Sequence, residues 1–189
     1  MRDRLVVRPG FVALLCGCAY FGSVGLLAVF LLSAALHELG HAAAVRTLGL
    51  HLRRLTLSAA GAELELREQE TSFRQDFILT LSGPLTNLAA AAICAVLRRF
   101  PLFLGANLLL GCFNLLPVLP LDGGNALFAL LSWLTDVDRA FQVLRIVSLG
   151  TAFVLTAVGL VILTVPGGKP WLALLGIWLL WAAFCREQN

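Results

Sequence analysis

Long apolar runs, separated by short polar patches, organise this chain. They cover 5–20, 22–48, 77–97, 102–119, 143–165 and 171–185. A helix needs roughly 20 apolar residues to cross the hydrocarbon layer, so the pattern predicts six membrane-spanning helices in a single 1–189 domain. Only Tyr20-Phe21-Gly22-Ser23 divides the first run from the second, and the sixth run is short. Between the second and third runs, over 50–68, the pattern changes. Leu52, Leu55 and Leu57 precede Ala59-Ala60-Gly61, and Glu63-Leu64-Glu65-Leu66 alternate after it. Period-2 patterning around a small-residue turn predicts a β-hairpin. Bare hairpin edges cannot face lipid. The hairpin is therefore expected at the interface, in a protein cavity, or paired with another extended segment. The predicted fold class is an all-α polytopic membrane protein with about six transmembrane helices and a membrane-associated β-hairpin after the second.

Composition agrees with the pattern. Hydrophobic residues make up 59% of the 189 and charged residues 13%, against roughly half and a quarter in soluble domains. The basic residues sit at the ends of the apolar runs. Under the six-span reading, Arg2, Arg4, Arg8, Arg46, Arg53, Arg54, Arg67, Arg74, Arg139, Arg145 and Arg186 share one side, and Arg98, Arg99 and Lys169 take the other. The positive-inside rule makes the richer side cytoplasmic, with both termini there, in a multi-pass protein of the bacterial cell membrane. A net charge of +3 placed this way speaks for topology and against nucleic-acid binding. No small-residue cleavage site ends the first run, so no cleaved leader is expected. The five cysteines form no C-x-x-C pair and read as small buried hydrophobes.

One polar stretch breaks the second run near its end. His37-Glu38-Leu39-Gly40-His41 matches H-E-x-x-H. On a helix, residues i and i+4 share a face, so both imidazoles reach one metal ion, and Glu38 is placed as general base for a metal-activated water. Ionisable side chains inside a span are costly and are kept for function. A zinc site needs a further protein ligand. An extended motif would place a histidine at position 47, where Thr47 stands. Asp122 is the favoured third ligand. It is the only acidic residue between Asp76 and Asp136, it follows the helix breakers Pro117 and Pro120, and Gly123-Gly124 after it allow close backbone approach. Glu63 and Glu65 of the hairpin are the alternatives. Asn87 and Asn114 are further polar residues within apolar sequence. Asn114 reads equally as a cap for backbone groups freed by the prolines or as a donor to a substrate oxyanion. His51 and the four tryptophans read as interfacial.

Taken together, H-E-L-G-H within a span, then G-P-L-x-N at Gly83 to Asn87, then N-x-x-P-x-x-P-L-D-G-G at Asn114 to Gly124, resembles the site-2 protease family of intramembrane zinc metalloproteases. The order and spacing match over 26–128, and the terminal spans fit more loosely. Within the family the chain is most similar to the sporulation factor IV B type, which processes pro-sigma-K. That type carries a nucleotide-sensing CBS domain after its last span, and none is expected before Asn189. The resemblance implies one zinc per chain held by His37, His41 and Asp122, with Glu38 activating water. It also implies that Asn114 positions substrate and that Asn87 lines the same cleft, with Pro117 beside them in the substrate-binding set. The expected partners are a membrane or membrane-associated protein substrate, the lipid bilayer and an inhibitory membrane partner. An extended substrate segment pairing with the hairpin edge would give that hairpin its purpose. The competing class is a non-proteolytic membrane zinc-binding or transport protein, against which stand the lack of an internal repeat and the placement of Glu38. A catalytically dead scaffold is the third, against which stands the intact motif.

Overall fold

The signals that start and stop each helix are written locally. In this computed structural model, which describes residues 5–7, 23–50, 52–58, 61–66 and 71–185, helix α1 runs over Val24–Thr47. The hydroxyl of Ser23 caps it by accepting from the Leu26 N–H at 3.2 Å. It ends where Gly49 takes a φ of +68°. There Gly49 N–H donates to Arg46 C=O and Leu50 N–H to Val45 C=O, a Schellman closure that glycine adopts without strain. Helix α2, Phe73–Leu97, opens on a capping box. The Ser72 N–H donates to Gln75 Oε1 at 2.9 Å and the Gln75 N–H to Ser72 Oγ at 3.3 Å. This box starts the helix one turn ahead of the predicted 77. Helix α3 is Pro101–Asn114, with its proline at the first helical position, where no N–H is needed. Helix α4 is Asp122–Leu134. Helix α5 is Val137–Leu163, capped by Asp136, which accepts from the Arg139 N–H at 2.8 Å. Helix α6 is Trp171–Cys185.

Length separates these helices into two classes. At 1.5 Å per residue, the 24, 25 and 27 residues of α1, α2 and α5 reach about 36 to 40 Å. That exceeds the roughly 30 Å of a bilayer core. All three are apolar enough to cross a membrane. The 14 residues of α3 and 15 of α6 reach only about 21 to 23 Å. The described residues therefore contain three span-length helices, not six. The predicted fourth span, 102–119, stops at Asn114 because Pro117 and Pro120 bring no N–H to continue it. The predicted first span, 5–20, begins in strand β1, Leu5–Val7, and its remainder lies outside the described residues. Helix α4 occupies sequence expected to connect spans. The predicted fifth span, 143–165, begins six residues early because Asp136 caps it. Apolar side chains cover the outsides of the span-length helices, with Val96 83% and Ile146 72% exposed. Helices that are apolar on every face suit lipid surroundings.

Between α1 and α2 the backbone forms strands β2, Leu52–Ser58, and β3, Gly61–Leu66. They pair antiparallel with Leu55 opposite Leu64, and β1 pairs parallel with β2 with Val6 opposite Thr56. The sheet order is β1-β2-β3, which leaves β3 at an edge among the described residues.

The chain divides into two compact units, Met1–Thr71 with Ser82–Cys112, and Ser72–Leu81 with Phe113–Asn189. In the first unit, α1 and α2 meet through glycine. A Cβ on Gly40 would sit 2.5 Å from Thr86 Oγ1 and 2.7 Å from the Ser82 carbonyl. Small residues at such crossings let backbones approach, which lipid alone does not drive. In the second unit, α5 and α6 use the same device. A Cβ on Gly176 would lie 2.5 Å from Thr156 Oγ1, and one on Gly159 would meet the Ala173 backbone. The core there is built on Val118, Leu121, Ala152 and Leu179, with Phe113, Leu155 and Trp178 packed around it.

Candidate metal centre

His37 and His41 lie one turn apart on α1, both buried, on the face that also carries Ser33, Gly40 and Ala44. Their Nε2 atoms approach to 3.1 Å. The rings stand edge to face, with centroids 4.8 Å apart and planes at 79°. Two imidazole nitrogens about 2.0 to 2.1 Å from a tetrahedral zinc stand roughly 3.3 Å apart. The pair is therefore shaped for one ion. Gly83 on α2 makes the room. A Cβ there would lie against His41 Nε2 and 2.7 Å from His37 Nε2.

Each ring is held from behind. His37 Nδ1 meets Asn87 Oδ1 at 2.6 Å, and Ser82 Oγ lies 3.2 Å from His41 Nδ1. The orientation of Asn87 is set by its other end, because its Nδ2 donates to the Ser33 carbonyl at 2.9 Å and to Asn107 Oδ1 at 2.7 Å. A carbonyl can only accept, so Oδ1 must face His37, and His37 Nδ1 must carry the proton. That leaves His37 Nε2 with its lone pair, 3.1 Å from His41 Nε2. Histidine ligands generally depend on such a partner. Glu38 follows His37 and is partly buried, with its Oε2 fully shielded.

The remaining predicted site residues belong to the second unit. Asn114 ends α3, half-buried. Pro117 offers its carbonyl to the Ser148 hydroxyl at 3.3 Å, and the same hydroxyl lies 3.4 Å from the Leu119 N–H. Asp122 opens α4 with its Oδ2 shielded. The two glycines after it are explained by space. A Cβ on Gly123 would meet the Leu115 carbonyl and lie 2.6 Å from Leu116 O, and one on Gly124 would lie 2.6 Å from the Val118 carbonyl carbon. These are backbone atoms that cannot swing aside. Gly123→Ala is therefore expected to destabilise the protein by about 1 to 3 kcal/mol. Thermal unfolding of the detergent-solubilised variant checks this, and an unchanged midpoint would contradict it. The side chains of Glu63 and Glu65, the alternative ligands, and His51 lie outside the described residues.

The family resemblance implies that Asn87 lines a substrate cleft. In the structure it is 0% exposed and its amide serves His37, Ser33 and Asn107. Ser33 and Asn107, both 0% exposed, belong to none of the sequence motifs. Their signal was present but faint: a serine one turn before His37, and a lone amide within "LFLGANLLLG".

The model of peptidase family M50 matches residues 25–102 and 98–158. Rip3 of Mycobacterium tuberculosis, a zinc metalloprotease by assignment, is 34% identical over 181 residues, covering 86% of this chain and 46% of that protein. Stage IV sporulation protein FB of Bacillus subtilis is 32% identical over 130 residues, covering 64% of this chain and 45% of that protein. The chain thus spans about half the length of the curated relatives it matches. A solved structure of the site-2 protease from Methanocaldococcus jannaschii shares the fold, with a TM-score of 0.66 at 21% identity over 95% of this chain and 88% of that one. The matched residues include the whole of His37-Glu38-Leu39-Gly40-His41 and the Gly83 to Asn87 segment behind it, and the chain belongs to peptidase family M50.

Proposed function

We propose that this chain is an intramembrane zinc metalloprotease that hydrolyses peptide bonds of membrane-bound substrates. The observation that carries the reading is the pair of buried Nε2 atoms 3.1 Å apart in a helix of span length, with Glu38 beside them. His37 and His41 hold one zinc ion, and Asp122 is the third ligand. The Asp122 reading is supported by its lone position in apolar sequence and by the glycines that tuck the start of α4 against the Leu115 to Leu119 backbone.

When bound, zinc supplies a Lewis acid that makes water nucleophilic near neutral pH. Glu38 takes a proton from the attacking water and hands it to the leaving amine nitrogen. Asn114 donates from its amide to the carbonyl oxygen as negative charge develops there. Pro117 helps to line the substrate path. A substrate helix hides its amides in its own hydrogen bonds and must unwind first. Once extended, it can add to the sheet at β3, whose one strand neighbour among the described residues is β2.

The protein sits in the bacterial cell membrane as a multi-pass protein. Arg46, Arg53, Arg54, Arg67 and Arg74 lie between the apolar parts of α1 and α2 and put that side in the cytoplasm. Its substrates are membrane-associated proteins, a sigma-factor precursor among them, and an inhibitory membrane partner restrains it.

The deciding experiment is metal content of detergent-purified protein, wild type beside Asp122→Ala. About one zinc per chain in wild type, with affinity falling at least about 100-fold in the variant, is expected for loss of a ligand. Full zinc in both would move the third ligand elsewhere. No zinc in folded wild type would overturn the reading.

A further inference from the structure

Ser33 and Asn107 belong to no motif that carries the chemistry, yet both are fully buried in a span-length helix and its neighbour. Their hydrogen bonds form one directed chain. Asn107 Nδ2 donates to the Phe103 carbonyl at 2.8 Å and to Ser33 Oγ at 2.9 Å. Ser33 Oγ in turn donates to the Val29 carbonyl at 2.9 Å, so it must accept from Asn107. The Phe103 carbonyl cannot donate, so the Asn107 amide has one allowed orientation, with Oδ1 toward Asn87 Nδ2 at 2.7 Å. Asn87 Nδ2 also donates to the Ser33 carbonyl at 2.9 Å. Two acceptors thus fix which end of the Asn87 amide faces His37, and that end fixes the proton on His37 Nδ1. Every direction is set by a main-chain carbonyl at the far end of the chain.

We propose that Asn107, through Ser33 and Asn87, is a positioning residue that selects the tautomer of His37 and so prepares its Nε2 for metal. Were Asn87 to flip, its Nδ2 would face His37 Nδ1, and the proton would move to Nε2, where it blocks coordination. The Ser33 carbonyl alone opposes that flip less strongly than the Ser33 carbonyl and Asn107 Oδ1 together. Buried, fully satisfied polar networks of this kind hold a side chain in one state. The inference takes the metal-ligand role of His37 from the proposed function, but the tautomer itself is a property of the protein without metal.

The test is nitrogen-15 NMR of ring-labelled histidine in the metal-free, bilayer-reconstituted full chain, with the rings neutral. The chain has three histidines, so His41→Gln and His51→Gln variants assign His37. Wild-type His37 is expected as the Nδ1–H tautomer. In Asn107→Ala the Nε2–H share should rise roughly 2- to 10-fold, the factor that one lost neutral hydrogen bond supports. The zinc dissociation constant should rise as the remaining Nδ1–H share falls, by up to about 10-fold. Ser33→Ala, a milder change in a helix, should shift both readouts the same way by less, and it carries the test if Asn107→Ala does not fold. A wild-type Nε2–H tautomer, or an unchanged tautomer in folded variants, overturns the inference and leaves the protease reading standing. A shifted tautomer in a protein that binds no zinc supports the inference and removes the protease reading.

Discussion

Glu38→Gln is expected to abolish peptide-bond cleavage, lowering the rate at least about 1,000-fold, while zinc content and unfolding temperature stay at wild-type values. Positioned proton transfer contributes about 100- to 10,000-fold to an enzymatic rate. In the proposed mechanism one carboxylate serves twice, taking the proton of the nucleophile and returning it to the amine. Glutamine keeps the length and shape of the side chain and loses both capacities. The neighbouring rings would not notice, because His37 is held by Asn87 and His41 by Ser82. The measurement is cleavage of a transmembrane substrate in proteoliposomes, run beside metal analysis of the same preparation. Activity within about 10-fold of wild type would take Glu38 out of the proton-transfer role.

Gly83→Ala is expected to remove zinc binding, with affinity reduced by at least about 100-fold, although the backbone of α2 is ordinary helix at that point. The added methyl would sit against His41 Nε2 and 2.7 Å from His37 Nε2, where the two ring nitrogens approach each other. Side-chain rings can yield where backbone cannot, so the fold should survive at a cost of about 1 to 3 kcal/mol. The rings yield by losing the 3.1 Å approach that suits one ion. Isothermal titration with zinc, beside thermal unfolding, separates the two effects. Wild-type affinity in a folded Gly83→Ala protein would show that the ion does not lie between these nitrogens.

The parts of this protein that the sequence determined alone are those governed by short-range geometry. H-E-x-x-H needs only the 3.6-residue turn to bring two imidazoles to one side. The 59% hydrophobic composition needs no fold to indicate a membrane. The helix ends were also written locally, in Ser72 with Gln75, in Asp136 and in Gly49, and the first two lie outside the apolar runs. Among the described residues fewer helices reach span length than there are apolar runs, because a run reports composition and not length between breakers. Pro117 and Pro120 cut the fourth run to 14 helical residues, and α4 then starts afresh at Asp122.

Only the tertiary structure decided what stands behind the two histidines. Asn87 is 50 positions from His37, 54 from the Ser33 carbonyl it bonds, and 20 from Asn107. No periodicity links positions so far apart. A buried amide in apolar sequence announces that it has partners, since leaving it unbonded would cost about 1 to 3 kcal/mol, but it does not say which. That choice is made when Gly40 and Gly83 let α1 and α2 close to backbone distance and bring the polar atoms of two helices within reach. Helix spacing, and not residue type, brought the Asn87 amide to His37 Nδ1.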